Sequence, residues 1–309
     1  MHSAKITIFA LLSYKEMNIL VTGANGQLGN ELRCLSVSSP FHFIFTDVND
    51  IPGVETVYLD ITDIDSVRLL CASENVDVII NCAAYTNVDK AETDMALAGL
   101  LNSDAPGNLA RVCAERGATL FHISTDYIFN VKSARPVRED EPADPQSVYG
   151  RTKLAGEKAV IDSLCKSIII RTAWLYSPFG KNFVKTMLDL TGSRDNVKVV
   201  YDQVGTPTYA YDLAKAIVHI IGSGQMDRTG VYHFSDEGAI SWFDFAREIC
   251  DLSGHNCKVD PCLSSEFPSK VVRPNYSVLD KSLIKNTFGV EVPYWKDSLK
   301  DCLKRLAAL

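Results

Sequence analysis

A strand that ends in glycine and turns straight into a helix leaves a chain few folds to choose from. Here Asn18-Ile19-Leu20-Val21-Thr22 reads as a buried strand, and Gly23-Ala24-Asn25-Gly26-Gln27-Leu28-Gly29 leads directly into a helix. Glycine removes the Cβ that would hold a backbone away from a pyrophosphate, and the last glycine lets helix and strand pack closely. The helix start offers free amides and the positive end of its dipole to the same anion. The spacing is G-x-x-G-x-x-G rather than G-x-G-x-x-G, yet a plain tight turn has no use for three glycines. Gly23, Gly26, Gln27, Leu28 and Gly29 are therefore read as the cradle of a dinucleotide.

Behind this unit, apolar runs alternate with amphipathic stretches through about the first 240 residues. The pattern predicts strands over 42–47, 56–59, 76–81, 119–124, 167–176, 197–201 and 231–235. It predicts helices over 28–35, 64–74, 105–116, 149–165, 183–190 and 211–221, then 242–252 and 295–306 after the rhythm fades. Several strands are nearly continuous Val, Ile and Phe, as parallel strands covered on both faces are. The expected fold is α/β, a Rossmann-type doubly wound parallel sheet with a small, discontinuous α/β substrate-binding domain. By length alone, 309 residues correspond to about two domains.

Residues 1–16 read as an N-terminal extension rather than a secretory signal, since no small-x-small cleavage site follows the short apolar run behind Lys5. Acidic residues outnumber basic ones by 38 to 31, a net charge of −7, which argues against a general nucleic-acid binder. No apolar run approaches membrane-spanning length, so no membrane partner is expected. The nine cysteines are scattered without a C-x-x-C pair, and read as reduced thiols of a cytoplasmic protein, not as a disulfide framework or zinc site.

Further residues fit the dinucleotide. Asp47, at the end of the second predicted strand, can accept the ribose hydroxyls and favours NADH, whereas Arg33 can serve the 2′-phosphate of NADPH. Asp60 and Ile61 can flank the adenine, and Ala83, Ala84, Tyr85 and Thr86 follow the fourth strand, where small residues let backbone approach a ligand. Tyr149 and Lys153 lie one helical turn apart, on one face. A phenol is a poor acid–base group at neutral pH, and an adjacent ammonium favours its phenolate. A hydroxyl from the preceding strand end, Thr125 or Ser124, can orient a substrate oxygen.

These motifs resemble the extended short-chain dehydrogenase/reductase family, and within it the branch that reduces 4-keto dTDP-sugars. The resemblance runs in order over residues 17–309. It is carried by the glycine loop, Asn81–Thr86 with Val88–Glu92, Ser124–Phe129, Val148–Glu157, Arg171–Tyr176, Asp202–Thr208 and Arg273–Asp280. It implies an NADPH- or NADH-dependent reduction of the C4 keto group of dTDP-4-dehydro-L-rhamnose to dTDP-L-rhamnose. Tyr149 would be the proton donor, Lys153 its partner, and Thr125 and Asp126 would touch cofactor or sugar. Trp174 would lie against the sugar or pack in the core, while Asn182 and Arg273 would meet the diphosphate, Arg273 being equally readable as a solvated loop residue. The domains implied are 17–176 plus 206–236 for NAD(P) and 177–205 plus 237–309 for the nucleotide sugar. Some family members bridge a homodimer through Mg2+ held by glutamates. Glu31 fits one such position, but a Tyr stands where the second acid is expected in Thr208–Asp212, which argues against a metal. Two other readings stay open. One is a nucleotide-sugar epimerase or dehydratase of the same fold, because Asp126 stands beside Thr125. The other is a non-catalytic regulatory subunit resembling the β subunit of methionine adenosyltransferase.

Overall fold

The computed structural model describes residues 17–132, 134–267 and 271–308. The extension read in residues 1–16 lies outside them. The expected strands appear as β1 (Asn18–Thr22), β2 (His42–Asp47), β3 (Val57–Tyr58), β4 (Val78–Asn81), β5 (Thr119–Thr125) and β6 (Lys166–Thr172). The chain then leaves the sheet through β7 (Leu175–Tyr176), β8 (Asn196–Val200), β9 (Val204–Gly205) and β10 (Thr208–Tyr209), and returns as β11 (Gly230–His233). β12 (Ile240–Ser241) and β13 (Lys258–Cys262) follow. The large sheet has seven strands in the order β11-β6-β5-β4-β1-β2-β3, paired parallel throughout. The order reverses between β1 and β4, and ligands of open α/β sheets bind beyond the strand ends at such a point.

Helices cover both faces. They are α1 (Gln27–Ser36), α2 (Ile64–Ser73), α3 (Val88–Ala91), α4 (Met95–Gly99), α5 (Ala105–Arg116), α6 (Val148–Asp162), α7 (Phe183–Ser193) and α8 (Ala210–Gly222), then α9 (Trp242–Leu252), α10 (Ser282–Phe288) and α11 (Trp295–Leu306). Side chains alternate across a strand. Ile19 and Val21 thus join one core with Leu32 of α1 and Leu213, Ile217 and Ile220 of α8. Leu20 joins the opposite core with Val67 of α2 and Leu109 and Val112 of α5. Burying each such side chain contributes about 1.5–3 kcal/mol. A third core, formed by Val184, Met187, Val197, Phe245, Ile249, Trp295 and Leu299, holds the smaller lobe together. There β8 pairs with β13, a strand that the fading rhythm does not announce.

Two local expectations change. The run 167–176 is not one strand, because Trp174 adopts φ +49° and breaks it, after which β7 pairs with β10. A left-handed aromatic residue is costly, so tertiary contacts must hold it there. Ile284, Phe288 and Val290, from the stretch 237–309 expected in the smaller domain, pack in the α8-side core of the large sheet.

Among the described residues all nine cysteines are free thiols, and no helix is long and apolar enough to cross a membrane.

Candidate active site

The glycine loop sits at the sheet's reversal. Gly23 leaves β1 with φ +63°, and a Cβ there would lie 2.6 Å from the Ala83 amide nitrogen. A Cβ on Gly29 would lie 2.5 Å from the Ala24 Cα, so α1 rests directly on the loop. Gly26 is the N-cap of α1, and no side chain caps the helix. Free amides at an uncapped helix start beside a glycine-rich loop fit a pyrophosphate. Leu28 is buried in the core, so it offers this site only its backbone. Gln27 reaches across to the smaller lobe, donating to the Leu175 carbonyl at 3.4 Å and accepting from Asn182 Nδ2 at 3.0 Å.

Asp47 ends β2 beside the glycine loop. Its carboxylate accepts from the Asn25 amide at 3.1 Å and the Asn49 amide at 3.0 Å. Arg33 lies over the Phe45 ring at 4.2 Å and donates to the Glu55 carbonyl at 2.8 Å. Asp60 accepts from Thr62, and Ile61 is buried in the core. Ala83, Ala84 and Tyr85 are half-buried and Thr86 is exposed. Asn102 anchors this stretch through the Tyr85 amide at 2.8 Å. Below it, Thr22, Asn81 and His122 form a chain across three neighbouring strands, at 2.7 and 3.1 Å. Burial pushes His122 well below its usual pKa, so the ring is neutral.

Next along the sheet are the residues expected to handle the proton. The Tyr149 phenol stands near the Thr125 hydroxyl, close enough for Thr125 to act on its acidity. Thr125 donates to Asp126 at 3.2 Å, and the Tyr127 ring stands edge-on to Tyr149 with centroids 5.4 Å apart. Burial raises the Tyr149 phenol above its ordinary pKa, with the Thr125 hydroxyl opposing and the Asp126 charge adding. The neighbouring ammonium that was expected to lower it is turned elsewhere, since Lys153 Nζ donates to the Ile123 carbonyl at 2.6 Å. Lys153 itself is pulled down to about 8 by burial, against the pull of Glu157. Burial likewise lifts Asp126 to about 6, against hydrogen bonds from Ser277 and Thr125, and its Oδ2 has no hydrogen-bond partner among the described residues. Of the two hydroxyls at the strand end, Thr125 faces Tyr149, whereas Ser124 donates to the buried Glu157.

The remaining expected residues divide. Arg273 comes to the site rather than to solvent, donating to Tyr127 Oη at 3.3 Å and pairing with Asp89 at 2.9 Å. Trp174 stacks on Trp242 with centroids 3.5 Å apart, and Gly205 leaves room for its ring. Asn182 is instead a helix cap: its Oδ1 accepts from the Lys185 amide, and its Nδ2 serves Gln27 and the Ser177 carbonyl. With both ends so engaged, it ties the lobes together instead of facing a diphosphate. Glu31 does not fit a metal ion. It is fully buried and accepts from Arg305 at 2.7 Å and Ser177 at 2.8 Å, and Arg305 also lies over the Tyr211 ring at 4.6 Å. A dication there would stand against a guanidinium. Among the described residues no cluster of metal-ligating side chains occurs.

The family described as RmlD substrate binding domain matches residues 17–308. A dTDP-4-dehydrorhamnose reductase of Streptomyces griseus is 39% identical over 303 residues, covering 95% of each chain. The crystal structure of a dTDP-4-dehydrorhamnose reductase from Clostridium acetobutylicum superposes with a TM-score of 0.87 at 43% identity, covering 94% of this chain and all of that one. A dTDP-4-dehydrorhamnose reductase from Bacillus anthracis, solved in complex with NADP, gives the same TM-score at 35% identity and the same coverage.

Proposed function

This chain belongs to the family described as RmlD substrate binding domain, and we propose that it reduces the C4 keto group of dTDP-4-dehydro-L-rhamnose to the alcohol of dTDP-L-rhamnose, using NADPH or NADH. The observation that carries the reading is the placing of Tyr149 beside Thr125 at the end of β5, next to the glycine loop, in a chain with such relatives.

Gly23, Gly26 and the first amides of α1 hold the pyrophosphate, Asp47 the adenosine ribose, and Ala83–Thr86 the middle of the cofactor. When bound, the reduced dinucleotide supplies the hydride. Thr125 orients the C4 oxygen, and Tyr149 protonates it as the carbonyl becomes an alcohol. The resulting phenolate is a buried anion, and the Lys153 ammonium, one turn along α6, stabilises it by swinging from the Ile123 carbonyl toward it. Asp126 and Arg273 line the sugar side, and the Trp174–Trp242 stack supports it. The free thiols suit a reducing, cytoplasmic compartment.

A positioned acid is typically worth about 10²–10⁴ in rate. Enzymatically prepared dTDP-4-dehydro-L-rhamnose should therefore drive NADPH or NADH oxidation by the wild type. Tyr149→Phe should slow turnover by about 10²–10⁴ while still binding the dinucleotide. An idle wild type with both cofactors, or a fully active Tyr149→Phe, would falsify the reading.

A further inference from the structure

Tyr149, Lys153 and Glu157 succeed one another at single turns along one face of α6. The proposed reaction uses the first two and leaves the third without a part. Yet each meets a successive residue of β5: Lys153 donates to the Ile123 carbonyl, Glu157 accepts from Ser124 Oγ at 2.5 Å, and Tyr149 stands near Thr125. Glu157 also accepts from Arg171 Nε at 2.9 Å and Nη2 at 2.7 Å, and Arg171 is the register partner of Ser124 on β6. One buried carboxylate thus joins a helix to the ends of two strands.

We propose that Glu157 is a positioning residue for the reduction described above, on which this inference rests: it locks α6 in the rotation that sets Tyr149 beside Thr125, and places its charge one helical turn from the Lys153 ammonium. Two cations are buried with this carboxylate, Arg171 paired to it and Lys153 one turn before it on α6. Among the described residues, His122 of β5 also lies within reach of the Lys153 charge, and its ring is neutral. Burial draws Lys153 down to about 8, and Glu157 is the group that opposes the fall. A protonated Lys153 is present below that pKa and lost as pH rises through it. Tyr149 is displaced upward, away from this range, so a falling limb in kcat/KM near pH 8 reports Lys153.

The test is the pH profile of NADPH oxidation with dTDP-4-dehydro-L-rhamnose, with thermal melts to establish folding. Glu157→Gln keeps the shape and removes the charge, so the falling limb should move down by about one pH unit. Glu157→Asp should restore the limb to its wild-type position. Ser124→Ala leaves the charge but removes one fastening, so kcat should fall several-fold with the limb unmoved and the KM for NADPH unchanged. A folded Glu157→Gln with the wild-type limb and kcat overturns the proposal. If Glu157→Gln does not fold, Ser124→Ala decides alone, and an undiminished kcat overturns the proposal. A wild type without turnover refutes the reductase reading itself, and is told apart by that.

Discussion

Replacing Gly23 by alanine separates two costs that the structure places at one residue. The first is conformational: at φ +63° an alanine sits in the left-handed region, at a cost of about 1 kcal/mol. The second is steric. The new Cβ would stand 2.6 Å from the Ala83 nitrogen and 2.7 Å from its Cα, both backbone atoms that no rotamer change can move. Forcing such a contact apart costs about 1–3 kcal/mol, for a total of about 2–4 kcal/mol. Gly53→Ala is the control, because φ there is +81° and nothing lies within 4 Å of the added carbon. Urea unfolding of the two variants should differ by the steric part, about 1–3 kcal/mol. The displaced backbone is also the wall of the cradle. NADPH affinity, measured by calorimetry, should fall about tenfold or more in Gly23→Ala, corresponding to about 1.4 kcal/mol of lost binding, and stay unchanged in Gly53→Ala. Equal stability losses together with unaltered NADPH binding would refute the reasoning.

Two buried carboxylates give further tests. Asp126 has its pKa raised from 3.8 to about 6, so its charge destabilises the folded state above about pH 6, and the penalty vanishes below about pH 4. That rise corresponds to about 3 kcal/mol, so Asp126→Asn should unfold at higher urea at pH 8 and lose that advantage near pH 4. A gain that is the same at both pH values would count against this account. Arg305→Met leaves Glu31 buried without its cation. Loss of one partner of a buried pair costs about 3–5 kcal/mol, and the 26% exposure of Arg305 places this case near the lower figure. Burial already raises Glu31, so lowering the pH lets it protonate in the variant and shrinks the deficit. A deficit independent of pH would rule that out, and adding Glu31→Gln should recover most of the stability.

Much of the large sheet is legible in the order of residues, because it is written in local terms. Apolar runs of strand length, helices with one greasy face, and glycines at a turn each depend on neighbours a few residues away. The segments missed are those where local signals are weak. β13 contains Pro261 and is a strand because β8 lies beside it. The stretch 88–104 holds two short helices, α3 and α4, and a π-helical turn over 100–104 that leads into α5. Asn182 shows the same limit within the site. As a polar residue in a family motif it reads as a ligand contact, but its partners Gln27 and Ser177 make it a fastening between lobes.

The sequence alone determined the glycine loop between strand and helix, the parallel sheet behind it, and the Tyr149–Lys153 pair on one helical face. Each follows from spacing within one or two elements. Only the tertiary structure decided which way those groups point. Strand register set Ser124 beside Arg171 and gave both to Glu157, leaving Thr125 for Tyr149. The place of α11 against β10 brought Arg305 to Glu31 of α1 across 274 residues of chain. Buried charges find their partners by topology, because the low dielectric that makes an unpaired charge costly acts through space and not along the sequence.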